Sequence, residues 1–263
     1  STPLYSSAAS DVYKRQDADY SRNRIVRKAM TSLGWTILDY RPRWWVLGSL
    51  EAKLRRVPRP ALVWVPCFRQ RDVASACRWA RSQGVPVIFD PLISAYDKQV
   101  FERQKFEEGS APARKLLAWE RSLFSLPQII VADTSLHADY FAEAMGVSRE
   151  KLHIIPVGAE ADLFEPSPVA PADSGVVEVL FYGSFIELQG PEVIVEAARQ
   201  CPIARWTLLG DGPLLERCMK AAMGLHQIRF EPRVSFESLP SRIAAAHIFF
   251  RCWCFSYWKY SFG

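Results

Sequence analysis

The chain has 263 residues, 49% of them hydrophobic and 23% charged, which is enough apolar material for two packed domains and too much for a disordered chain. Its apolar runs, such as Ala244–Ala246 and Ile248–Phe250 on either side of His247, fall far short of the roughly 20 residues a membrane-spanning helix needs. The net charge of +5 hides a division, since residues 1–126 hold 22 Lys+Arg against 12 Asp+Glu while residues 127–263 hold 11 against 16.

Residues 1–16 carry no usable periodicity and read as a non-native, adapter-like segment outside the fold. From there strand-length apolar runs alternate with helix-like segments. Trp35–Asp39, Leu62–Pro66, Val85–Asp90, Gln128–Ala132 and Leu152–Ile155 read as buried strands. Between them lie helices over Arg22–Ser32, Trp44–Arg56, Arg71–Gln83, a long region within Ala95–Leu126, and Ser135–Met145. Pro166, Pro168 and Pro171 then break the pattern, so 17–165 is expected to be one domain and 166–175 a linker. A second series follows over 176–250: strand Val176–Tyr182, helix Pro191–Gln200, strand Trp206–Leu209, helix Pro213–Ala222, strand Ile228–Phe230, helix Phe236–Ala246 and strand Ile248–Phe250. Strand then helix, repeated, predicts α/β domains with doubly wound parallel sheets. The aromatic tail 251–263 has neither period and reads as aberrant, a docking tail being the alternative. None of the six cysteines (Cys67, Cys77, Cys201, Cys218, Cys252, Cys254) stands in CxxC spacing and no secretion signal opens the sequence, so the expected compartment is the reducing cytoplasm.

In open α/β sheets ligands gather beyond the carboxyl ends of strands. After Val176–Tyr182 comes Gly183-Ser184-Phe185-Ile186-Glu187-Leu188-Gln189-Gly190-Pro191, with Pro191 where a first helical residue belongs and Gly190 as its cap. A glycine turn beside a helix N-terminus suits phosphate, and it also suits an ordinary β–α turn. The loop after Trp206–Leu209 reads Gly210-Asp211-Gly212-Pro213, where two glycines permit close backbone approach. Neither loop completes GxGxxG, and no Walker sequence is present.

Taken together, VLFYGSF…QGPEVIVEAA (179–198), WTLLGDGPL (206–214) and VSFESLPSRIAAAHI (234–248) resemble the donor-binding domain of GT-B glycosyltransferases of family 4. IIPVGAEADLFEP (154–166) is similar to that family's passage from acceptor domain to linker. The resemblance implies two Rossmann-like domains facing across a cleft, the second incomplete, and retaining transfer of a sugar from a nucleotide-sugar donor to an acceptor in glycan, polysaccharide or glycolipid synthesis. It implies no bound metal or other cofactor and no nucleic-acid partner. Gly183 matches the family glycine near the donor diphosphate, and Gly210, Asp211 and Gly212 match the loop beside the nucleotide. Where the family places an Arg and a Lys against diphosphate, Ser184 or Phe185 and Gln189 stand here. The expected donor-binding set is therefore Gly183, Ser184, Phe185, Gln189, Gly190, Gly210, Asp211 and Gly212, with phosphate charge met by backbone N–H groups, by the helix end or by a base from elsewhere. The family's glutamate-rich segment belongs after Ile248 and its first strand before Asp17, so the sequence reads as an internal fragment. A nucleotide- or phosphate-binding protein without transfer activity is the alternative.

Further candidates follow, most of them with two readings. Asp90 ends a strand on the ligand side and is the expected base or acceptor for the incoming hydroxyl, or else a structural strand-end aspartate. Asp17-Ala18-Asp19 could chelate a cation or cap a helix. His137, His153, His226 and His247 lack metal-ligand spacing and read as helix or turn histidines. Arg41, Arg43, Trp44, Trp45, Val46, Leu47, Leu50, Leu54, Arg55 and Arg56 combine a Trp pair, helically spaced leucines and cations. That pattern suits the surface of an anionic membrane, with the basic half peripheral at its inner face, and equally a helix whose tryptophans fill the core.

Overall fold

The computed structural model describes residues 3–6, 20–165 and 175–250. Its backbone divides into two compact units, Ser1–Ala159 and Glu160–Gly263. Linker residues 166–174, the tail 251–263 and the Asp17–Asp19 carboxylates lie outside the described residues.

In the first unit, short runs rich in β-branched residues form β2 (Thr36–Asp39), β3 (Leu62–Val65), β4 (Val87–Phe89), β5 (Ile129–Ala132) and β6 (Leu152–Ile154), joined by β1 (Pro3–Ser6). The order is β2-β1-β3-β4-β5-β6, and every neighbouring pair is parallel. Helices α1 (Ser21–Ser32), α2 (Gly48–Leu54), α3 (Val73–Gln83), α4 (Ala111–Phe124) and α5 (Ser135–Glu143) fall between the strands. Strand alternation sorts the side chains. Val63, Val65, Val87, Phe89, Ile130 and Ala132 enter one core with Trp79, Phe124 and Phe141. Trp64 and Val131 enter a second, against Val26 and Met30 of α1. Both faces of the sheet are thus covered, as a parallel sheet requires.

Three expectations are revised here. Pro3–Ser6, set aside as outside the fold, is placed as a central strand, with Leu4 in register with Ile37 on one side and Leu62 on the other. The long helix expected within Ala95–Leu126 is interrupted. A helical turn at Ala95–Asp97 and a π turn at Lys98–Glu102 precede α4, whose start is fixed by Pro112 in its first turn and by Ser110 Oγ accepting the Ala113 N–H. The Trp44–Arg56 helix becomes a 3-10 turn, Trp45–Leu47, followed by α2, and Trp44 and Trp45 stay 66% and 45% exposed instead of filling the core.

The second unit contains β7 (Glu178–Ser184), α6 (Pro191–Gln200), β8 (Arg205–Asp211), α7 (Leu215–Ala221), β9 (Ile228–Glu231), α8 (Leu239–Ala244) and β10 (Ile248–Phe250). Helix α6 has the expected bounds, with Pro191 first and Gly190 as a left-handed cap. The sheet order is β10-β7-β8-β9, all parallel. Phe181, Phe185, Ile194, Val195, Trp206, Leu208 and Cys218 form its core. The chain steps outward from β7 to β9 and then returns to the other edge of β7 as β10. Strand order therefore reverses at β7, which puts the turn after Gly183 where open parallel sheets hold ligands.

Candidate functional site

The two glycine loops of the second unit meet through their backbones. Strands β7 and β8 pair so that Gly183 lies opposite Gly210 and Ser184 opposite Asp211. A Cβ on Gly210, whose φ is +150°, would stand 1.9 Å from the Gly183 carbonyl oxygen. One on Gly212, at φ +154°, would stand 2.7 Å from the Phe185 nitrogen and 2.8 Å from its oxygen. Both positions require glycine because of this contact between loops. The Phe185 N–H donates to Asp211 O at 3.0 Å, and the Leu214 N–H donates to Phe185 O at 2.9 Å.

The remaining predicted donor residues gather at the same edge and take different roles. Phe185 is fully buried, its ring edge-on to Phe181 and tilted against Phe230, so its side chain serves the core and not a ligand. Gln189 folds back over Gly183 and accepts the Ser184 N–H through Oε1, bracing the turn. Gly190 donates its N–H to Glu187 O, Ile186 donates to Ser184 O, and Gly212 donates to Oδ1 of the preceding Asp211. Much of the amide set that the sequence offers to phosphate is therefore engaged inside the loops. A cation arrives from elsewhere: Arg233, exposed just past β9, donates from Nη2 to Ser184 Oγ at 3.4 Å. No motif marks Arg233, which lies 49 positions from Ser184; only sheet order brings them together. Glu192 in the first turn of α6 is paired with Arg217 at 2.6 Å.

At the carboxyl edge of the first sheet, Asp90 is fully buried. Its carboxylate accepts from Arg22 Nε at 2.7 and 3.0 Å, while Arg22 Nη1 donates to Ile155 O at 2.9 Å. Burial pushes the Asp90 pKa up against the pull of the Arg22 guanidinium. The residue expected to serve an acceptor hydroxyl as base thus ties α1 to the ends of β4 and β6. Beside it, burial raises the Cys67 thiol well above its ordinary range.

A second pair at this edge follows β5. Thr134 caps α5, and Asp133 Oδ1 contacts His137 Nδ1 one turn on. The bond to Asp133 lifts His137 above its usual pKa despite burial; Asp133, which burial alone would raise, is held below its ordinary value by His137. His137 reads as a plain helix histidine in sequence, and its signal is the Asp133-to-His137 spacing directly after a strand. Among the described residues no group of three or more His, Cys, Asp or Glu is arranged to hold a metal ion.

Two α/β units of parallel strands, one with paired glycine loops at its strand reversal, are the GT-B architecture. The family described as a glycosyl transferase 4-like domain matches residues 12–158, and the chain belongs to it. A curated relative, D-inositol 3-phosphate glycosyltransferase 1 of Catenulispora acidiphila, is 28% identical over 196 residues, which is 68% of this chain and 42% of the relative. The chain thus spans about two-fifths of that protein's length. Among solved structures, sucrose-phosphate synthase from Thermosynechococcus elongatus superposes with a TM-score of 0.71 at 15% identity, covering 95% of this chain and 75% of that one. The Anabaena protein Alr3699/HepE in complex with UDP gives a TM-score of 0.62 at 14% identity, covering 95% and 73%. At these identities the likeness is one of fold.

Proposed function

We propose that this chain carries out retaining transfer of a sugar from a nucleotide-sugar donor, with the donor held at the β7–β8 edge of the second unit and the acceptor received by the first. The observation that carries the reading is the glycine junction of Gly183 and Gly210 at the strand reversal, with Arg233 reaching its rim. A nucleoside diphosphate needs cationic donors, and a guanidinium suits phosphate oxygens because it can present two N–H groups at once. Ser184 and Gln189 are neutral, and among the described residues Arg233 is a cation that reaches Ser184 and can supply charge here.

Calorimetric titration of the whole chain with UDP, GDP and ADP tests this. At least one should bind, and Arg233→Ala should weaken it about tenfold, the loss of about 1.4 kcal/mol expected for one charge-assisted contact. Failure of all three to bind, or binding of NAD alone, overturns the reading. Transfer is then assayed with glycan, glycolipid and phosphorylated cyclitol acceptors, the last because the Catenulispora relative is named for D-inositol 3-phosphate. Nucleotide binding without transfer or donor hydrolysis would favour a non-catalytic nucleotide-binding protein. The proposal includes no resident metal and a cytoplasmic location; the described thiols of Cys67, Cys77, Cys201 and Cys218, all unbridged, support a reducing compartment.

A further inference from the structure

The segment after β2 turns its large apolar side chains outward. Trp44, Trp45, Val46, Leu47, Leu50 and Leu54 are 45–75% exposed. Helix α2 is held to the protein by its smallest residues. Ala52 is 1% exposed, and a Cβ on Gly48 would come within 2.9 Å of Ser75 Oγ and 3.2 Å of the Pro42 side chain. At 100° per residue, Gly48 and Ala52 share one face while Leu47, Leu50 and Leu54 lie on the opposite one. A globular helix normally points its leucines at the core; this one has too little room beneath it to turn them in.

Cations are concentrated in the same segment. Residues 41–59 hold Arg41, Arg43, Lys53, Arg55, Arg56 and Arg59 against the single carboxylate of Glu51. Glu51 is already engaged, with Arg55 at 2.6 Å and with the Arg43 N–H at 2.7 Å. From α3, Arg78 donates to Val46 O at 2.8 Å and fixes the 3-10 turn. No helix among the described residues is long and apolar enough to cross a membrane, so any lipid contact made here lies along the surface.

We propose that the Trp44–Leu54 face docks on a lipid bilayer bearing anionic headgroups, with the Trp pair and the leucines in the interfacial layer and the surrounding arginines on headgroup phosphates. Tryptophan suits that depth because its ring is apolar and its N–H can remain hydrated. One apolar stripe rimmed by basic side chains is the arrangement that binds such an interface in its plane. An acidic protein partner would satisfy the cations and leave the apolar stripe unexplained. This inference is independent of sugar transfer, and its test needs neither donor nor acceptor.

The test is co-sedimentation of the whole chain with vesicles of phosphatidylcholine, with and without about one-third phosphatidylglycerol, at low and high salt. The chain should partition at least about tenfold more strongly to the anionic vesicles, lose that preference in high salt, and show a blue shift of tryptophan emission on binding. Trp44→Ser with Trp45→Ser should reduce binding about tenfold with the circular dichroism spectrum unchanged, and Arg43→Glu with Arg56→Glu should erase the preference for anionic lipid. Equal partition to both vesicle types, or binding that survives the tryptophan changes, overturns the proposal. A lipid-independent dimer that disappears with those changes would assign the face to a second copy of the chain and overturn it as well.

Discussion

Replacing Asp90 by alanine strands the Arg22 guanidinium, 2% exposed, without its counter-ion. The expected cost is about 3–5 kcal/mol in urea unfolding, because most of the penalty is that of a buried charge left uncompensated. The double change Arg22→Met with Asp90→Leu should cost less than Asp90→Ala alone. If Asp90 were instead an exposed base, its loss would abolish transfer and leave unfolding unchanged. The Asp133–His137 pair predicts a pH signature. Its His137 contribution is fully present below the unfolded value near 6.5 and fades as pH rises through the higher folded value. Its Asp133 contribution is present above about 3.8 and fades as pH falls through the lower folded value. His137 is partly exposed, so His137→Ala should lower the melting temperature by at most about 2 °C between those limits and leave it unchanged at high pH. At this scale the sequence is a partial guide. The GDG run announces a tight loop, but neither the Arg22–Asp90 bond nor the approach of Arg233 to Ser184 can be read from residues so far apart in the chain.

Among the elements, two glycines separate the reasons for needing that residue. Gly84 closes α3 in the left-handed region at φ +64°, with nothing within 4 Å of the place a Cβ would take, so Gly84→Ala should cost only the conformational penalty of about 1–2 kcal/mol. Gly210→Ala also collides with the Gly183 carbonyl and should exceed that cost, disrupting nucleotide binding together with stability. Chemical unfolding of the two variants side by side checks the order. Strands β3, β4 and β5 are legible because each is a short, wholly apolar run (Leu-Val-Trp-Val, Val-Ile-Phe and Ile-Ile-Val-Ala), and α6 because Gly190-Pro191 marks its start. Pro3–Ser6 is not legible: four residues show no period, and only its neighbours define the slot it fills. The orientation of α2 is hidden for another reason. Its pattern is amphipathic either way round, and the close approach of Ser75 and Pro42 to Gly48 decides which face is inside.

For the whole molecule, alternation of strand and helix on either side of a proline-rich break is enough to predict two parallel-sheet units, and the compact units divide at Ala159, a few residues ahead of that break. Two predictions belong at this scale. Nucleotide at about 100 times its dissociation constant should stabilise the chain by about 2.7 kcal/mol, read as a rise in melting temperature. Any transfer activity should persist in excess EDTA; its loss there, restored by a divalent cation, would refute metal-independent chemistry. The return of β10 to β7 has a consequence for biosynthesis. Val179, Leu180 and Phe181 find partners in Ile248, Phe249 and Phe250 only after the intervening helices and strands have been made. At about 5–20 residues per second, the ribosome leaves that side of β7 bare for about 3–13 s. During that interval the nascent chain offers an apolar, unpaired strand edge to any neighbouring polysome product.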